Sequence, residues 1–176
     1  MKTLTLLRHA KSGWDDGVAR DFDRPLNDKG RRAARTVGRY LAREGLRFDR
    51  VIASPAVRVV ETLAEVGATC GATLDPVWDK RLYLAPPEQI MEVVAGLAGD
   101  AERLLVVGHN PGLEELVLDL AGAGEARAMV ATKFPTAALA ELTWEGDWAS
   151  PGSGGASLVR FTRPRDLDPT LGPNEE

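Results

Sequence analysis

Short apolar runs alternate along this chain with stretches of helical periodicity, and that alternation restricts its possible folds more than any other feature. Thr3 to Leu7, Val51-Ile52-Ala53 and Arg103 to Val107 are apolar runs of strand length, too continuous for a sheet with one wet face. Helical segments with their own punctuation lie between them. Asn27 stands where it caps a helix over Asp28 to Glu44, and Gly45 where it ends one; Ala34, Val37, Gly38 and Leu41 recur at the spacing of a buried face. Ser54-Pro55 reads as the N-cap and first-turn proline of a second helix. Glu88 to Leu97 reads as a third, and Asn110-Pro111 opens a fourth that runs to Leu120. Leu74 to Trp78 is expected at a sheet edge, because Pro76 cannot donate to a central ladder. Ala138 to Trp144 and Ala156 to Thr162 flank Ser150-Pro151-Gly152-Ser153-Gly154-Gly155 as an antiparallel pair. The pattern predicts an α/β protein with a mostly parallel central sheet covered by helices on both faces.

With 176 residues, 44% of them hydrophobic, the chain has material for one core. Residues 1–163 are expected to form a single domain, and 164–176, rich in Pro, Asp and Glu, a flexible tail. A formal charge of −4 argues against a nucleic-acid partner. No run approaches the roughly 18 apolar residues of a membrane span, and Met1 to Leu7 is too soon interrupted by Arg8-His9 for a signal peptide. The expected location is therefore the cytoplasm. The single cysteine, Cys70, permits no intrachain disulfide, and two histidines with one cysteine cannot assemble the usual structural zinc site. No metal or other cofactor is expected.

Three predicted strands end in residues with chemistry. The first continues as Arg8-His9-Ala10-Lys11-Ser12, the second as Ser54-Pro55 with Arg58 soon after, and the third as Gly108-His109-Asn110. Ligands of open α/β sheets sit beyond the carboxyl ends of parallel strands, so both histidines and two arginines are expected on one rim. That set suits phosphoryl transfer. Arginine forks match the oxygens of a phosphoryl group in flight, and a neutral imidazole can attack phosphorus directly. Arg8 and Arg58 would favour the neutral, nucleophilic form of His9.

The run Arg8-His9-Ala10-Lys11-Ser12-Gly13-Trp14 resembles the Arg-His-Gly signature of the histidine phosphatase, or phosphoglycerate mutase-like, superfamily. Asp23-Arg24-Pro25-Leu26-Asn27 with Gly30, Ser54-Pro55-Ala56-Val57-Arg58 with Thr62, and Gly108-His109-Asn110 follow in the family's order. The likeness covers about residues 3 to 120, and the Arg-His-Ala variant is most similar to the small SixA-type phosphohistidine phosphatases. The resemblance implies a three-layer α/β/α sandwich. It also implies that His9 is the nucleophile, that Arg8 and Arg58 bind the phosphoryl oxygens, and that His109 donates a further hydrogen bond to them. Ser12 stands where relatives often contact phosphate.

Larger relatives use a carboxylic acid to protonate the leaving oxygen. Related small phosphatases often read Leu-Tyr-Glu where this chain has Leu82-Tyr83-Leu84, so Asp79, Glu88, Asp15 and Asp16 remain as unranked acids. Without such an acid, an alkoxide leaves poorly and a phosphohistidine imidazole more easily. The expected substrate is phosphohistidine on a protein partner. The alternatives are a small phosphomonoester, such as a sugar phosphate or nucleotide, and a non-catalytic phosphate-binding module. Arg31, Arg35, Arg39 and Arg43 form an i,i+4 strip with few acids beside it, which reads as a solvated face or as a docking strip for an acidic partner.

Overall fold

The computed structural model describes residues 1–13, 17–18 and 20–172. In chain order its regular elements are β1 (Lys2–Arg8), α1 (Asp28–Glu44), β2 (Arg50–Ala53), α2 (Val57–Thr69), β3 (Pro76–Trp78) and α3 (Pro87–Leu97). They continue with β4 (Arg103–Gly108), α4 (Gly112–Leu120), α5 (Glu125–Thr132), β5 (Leu139–Trp144), β6 (Ser157–Thr162) and α6 (Pro164–Leu167). The strands form one six-stranded sheet in the order β3-β2-β4-β1-β5-β6. The first four of these strands are mutually parallel. β5 runs antiparallel to β1, and β6 antiparallel to β5.

Both faces of the sheet are covered. Leu7, Leu105 and Val107 pack with Val37 and Leu41 of α1 and Val59, Leu63 and Val66 of α2. Leu4, Leu6, Leu104 and Val106 face the other way, onto Val93 of α3, Leu116 and Val117 of α4 and Val130 of α5. Each such side chain stabilises the fold by about 1.5–3 kcal/mol relative to its exposed state. The arrangement is the expected three-layer sandwich, and it explains why β1 is buried at successive positions from Leu4 to Leu7 and β4 from Leu104 to Gly108.

Local signals set the bounds of α1. The Asn27 side chain accepts from Gly30 N at 2.8 Å, and Gly45 closes the helix at φ 67°. Gly30 also leaves room for the loop after β1: a Cβ there would lie 2.0 Å from the Lys11 carbonyl oxygen. That same oxygen accepts from Asn27 N at 3.0 Å.

Three expectations need correction, and one helix, α5, was not anticipated. α2 begins at Val57 with Ala56 as its cap residue, so Ser54 is not the cap; its hydroxyl lies 2.8 Å from His109 Nε2. α5 gave no readable amphipathic stripe, because Val130 alone among its residues is buried. Residues 164–172, expected to fray, form α6 and a 3-10 turn (Pro169–Leu171) against α1. Leu171 is buried with Ala33 and Val37, and Lys29 Nζ donates to Gly172 O at 2.7 Å. The arginine strip on α1 does find acids, supplied by α2. Arg31 lies 3.7 Å from Glu61 and Arg35 lies 3.0 Å from Glu65, while Arg43 covers the Tyr40 ring. No helix among the described residues is long and apolar enough to cross a membrane.

Candidate active site

The carboxyl ends of β1, β2 and β4 lie on one edge of the sheet, where the register pairs Arg8 with Gly108 and Ala53 with Val107. β5 starts at the same edge, with Leu139 opposite Leu7. The backbone just past the strands is tied into the sheet. His9 N donates to Gly108 O, Ser54 N to Val107 O, and Ala137 N to His9 O, at 3.0–3.1 Å. Ala10 N donates to Thr62 Oγ1 at 2.9 Å, and that hydroxyl donates in turn to Arg58 O at 2.7 Å. Thr62 of α2 thus fixes the loop that carries His9.

The four expected side chains converge. The His9 and His109 ring centroids are 5.3 Å apart, and both residues are buried. Arg58, whose side chain is 4% exposed, sits between them. Its Nε donates to His9 Nε2 and its Nη2 to His109 Nδ1, each at 3.4 Å. Arg8 Nη1 donates to Phe134 O at 3.0 Å, an oxygen shared with Asn110 Nδ2. Its charge acts on both histidines. Ser12 forms an antiparallel bridge with Leu26.

The tautomers follow from the partners. A carbonyl oxygen only accepts, so the contact of His9 Nδ1 with Ala10 O at 2.7 Å puts the proton on Nδ1 and leaves the lone pair on Nε2. A guanidinium only donates, so His109 accepts at Nδ1 and donates from Nε2 to Ser54 Oγ. Ser54 can either give or take a proton bond. His109 can therefore exchange tautomers without changing charge.

Burial lowers both imidazoles. His9 is pushed down to about 3 by desolvation, partly opposed by its bond to Ala10 O and reinforced by Arg8, His109 and Arg58. His109 also falls to about 3, through desolvation and then Arg58. The unfolded chain takes up protons on these histidines as the pH falls past their ordinary 6.5, and the folded chain resists until about 3. Stability is therefore full above that ordinary value and declines as the pH falls toward 3. The slope reaches about 1.4 kcal/mol per pH unit for each histidine. Thermal melts between neutral and acidic pH are expected to trace this decline, with a shallower slope in His109→Gln.

Sequence reasoning missed two participants. Asp21, in a 3-10 turn (Asp21–Asp23), accepts from Arg58 Nη2 at 2.9 Å, Tyr83 OH at 2.5 Å and Arg24 Nη1 at 3.0 Å. Burial raises its carboxyl, but the bonds from Tyr83, Arg24 and Arg58 outweigh that and hold it well below the usual carboxylate range. Tyr83 meets His109 edge-on at 5.3 Å between ring centroids. Desolvation, followed by its bond to Asp21, raises its hydroxyl above the ordinary value.

The expected acids are elsewhere or committed. Asp79 caps the 3-10 turn Lys80–Leu82 and pairs with Arg81 at 2.7 Å. Glu88 is in the first turn of α3, in a groove lined by Met91 and Trp148. Asp15 and Asp16 lie outside the described residues. Leu84 is 52% exposed, at φ 53°.

Two histidines and two arginines at the carboxyl edge of a three-layer sandwich make an arrangement suited to binding and transferring a phosphoryl group. Residues 4–83 match the histidine phosphatase superfamily, branch 1. An uncharacterized protein of Mycobacterium tuberculosis is 39% identical over 163 residues, covering 90% of this chain and 100% of that protein. A candidate phosphohistidine phosphatase SixA of Nakamurella multipartitia superposes with a TM-score of 0.80 at 31% identity, covering 93% of this chain and 96% of that one. The protein histidine phosphatase SixA complexed with tungstate shares the fold, with a TM-score of 0.77 at 23% identity over 94% and 99% of the two chains. The chain belongs to the histidine phosphatase superfamily.

Proposed function

We propose that this phosphatase carries the phosphoryl group on His9 and takes it from phosphohistidine on a protein partner. One observation carries the nucleophile assignment: the Nδ1–H of His9 is committed to Ala10 O, so the Nε2 lone pair faces Arg58. Attack by Nε2 forms its bond to phosphorus as the leaving group's bond breaks, and water then hydrolyses the phosphoenzyme. Arg8 and Arg58 neutralise the phosphoryl oxygens. His109, in the tautomer with Nδ1–H, donates a further bond to them. Ser12 is a weaker phosphate contact.

The substrate assignment rests on the leaving group. Among the described residues, Asp79 is paired with Arg81 and Asp21 is held ionised, so neither offers a proton to a departing alkoxide. Imidazole needs less help. The cations Lys11, Lys29, Lys133, Arg163 and Arg165 line a cavity that is reached, at Lys11, two residues past His9. Such a rim favours an anionic protein surface. Cytoplasmic location is part of the same reading.

The test offers the protein a phosphohistidine-bearing domain and a panel of phosphomonoesters. The expected kcat/KM for the domain exceeds that for alkyl phosphates by about 100-fold or more, the scale of a missing general acid. A sugar phosphate or nucleotide turned over as efficiently as the domain would overturn the substrate assignment. No release from any substrate would leave a phosphate-binding module.

A further inference from the structure

A carboxylate fixed on a phosphate-binding arginine works against an anionic substrate, since both anions draw on the same cation. Asp21 is nonetheless built into that position. Arg58 donates twice to it, from Nη2 to the carboxylate and from Nη1 to the Asp21 backbone oxygen at 2.7 Å. Tyr83 and Arg24 fix the same carboxylate from two other sides. The side chain of Asp21 is 37% exposed, against 4% for Arg58, so the carboxylate occupies the outward side of the guanidinium.

In-line displacement by a buried His9 sends the leaving group outward, away from Nε2. A leaving group that departs past Asp21 meets a negative charge. A carboxylate has about four acceptor positions, of which Arg58, Tyr83 and Arg24 use three. A position remains for a donor on the substrate.

We propose that Asp21 selects the substrate by the charge of its leaving group, accepting a hydrogen bond from the protonated remote ring nitrogen of phosphohistidine. This rests on the phosphohistidine reading above. The chemistry balances without a proton transfer at the scissile nitrogen. His9 Nε2 gives its lone pair to phosphorus, and the P–N bond pair returns to the leaving nitrogen. The remote nitrogen keeps its proton, so neutral imidazole departs. With that nitrogen unprotonated, imidazolate would have to leave, which is far harder. A carboxylate at Asp21 stabilises the ring-protonated form of the substrate and repels monoesters with anionic leaving sides.

The test compares kcat/KM for a phosphohistidine domain and for p-nitrophenyl phosphate in wild type, Asp21→Asn and Asp21→Glu. In Asp21→Asn the first is expected to fall about 30-fold, the worth of one charge-assisted hydrogen bond, and the second to rise about threefold as repulsion is relieved. Asp21→Glu, which keeps the charge, is expected to recover most of the preference for the domain. A parallel fall on both substrates in Asp21→Asn, or an unchanged ratio, would overturn the proposal while leaving phosphohistidine as substrate. A wild type that cleaves p-nitrophenyl phosphate but not the domain would remove the substrate reading itself, and this proposal with it.

Discussion

His9→Ala is expected to lower phosphate release by at least about 10⁴-fold, the scale seen when a covalent nucleophile is deleted. The site has a second imidazole within 5.3 Å between centroids, so substitution by a neighbour must be considered. His109 is badly placed for it. Its Nε2 is engaged with Ser54, a hydroxyl that can give or take the proton, so Nδ1 can turn donor, whereas the carbonyl on His9 Nδ1 only accepts and leaves the lone pair on Nε2. A phosphoryl group trapped on the wild-type protein should therefore be acid-labile and alkali-stable, and absent from His9→Ala. His109→Ala should keep the adduct and lose only about 10²-fold, as expected for one donor to the transition state. If both variants lost activity equally and neither wild type nor variant trapped a phosphoryl group, His9 would be a binding residue only.

How much of this was legible before the structure depends on the range over which each residue acts. Asn27 and Gly45 bound α1 through contacts a few residues away, so the sequence pattern located both ends. His9, Arg58 and His109 were readable because strand ends in a parallel sheet share an edge, and topology brings them together without any knowledge of side-chain partners. Ser54 was misread for the opposite reason. Ser-Pro is a local helix-start signal, but a histidine 55 positions later lies against that hydroxyl. Asp21 carried only the weak local signal of Arg24 three positions on, since the partners that place it in the site, Arg58 and Tyr83, lie 37 and 62 positions away. The same holds for the acids that Arg31 and Arg35 find on α2, and for the burial of Leu171, which depends on a surface of α1.

Arg58→Met is expected to cost about 10³-fold in kcat/KM while leaving Tm within about 3 °C of wild type or above it. The activity loss follows from position. Arg58 is the cation that faces both imidazoles, and removing it strips a forked donor from the phosphoryl oxygens. Arg58→Lys should recover little, because an ammonium keeps the charge but not the planar fork that reaches His9, His109 and Asp21 together. The stability argument runs the other way. Deleting one member of a buried ion pair is destabilising when it strands a buried charge. Here the partner Asp21 is partly exposed and keeps Arg24 and Tyr83, so no buried charge is stranded. Methionine fills most of the vacated volume with a flexible apolar chain, and the cost of desolvating a guanidinium disappears. The cation is therefore held in the fold for its chemistry, and paired melting and kinetic measurements on this one variant separate the two effects. A large fall in Tm would instead make Arg58 a structural residue.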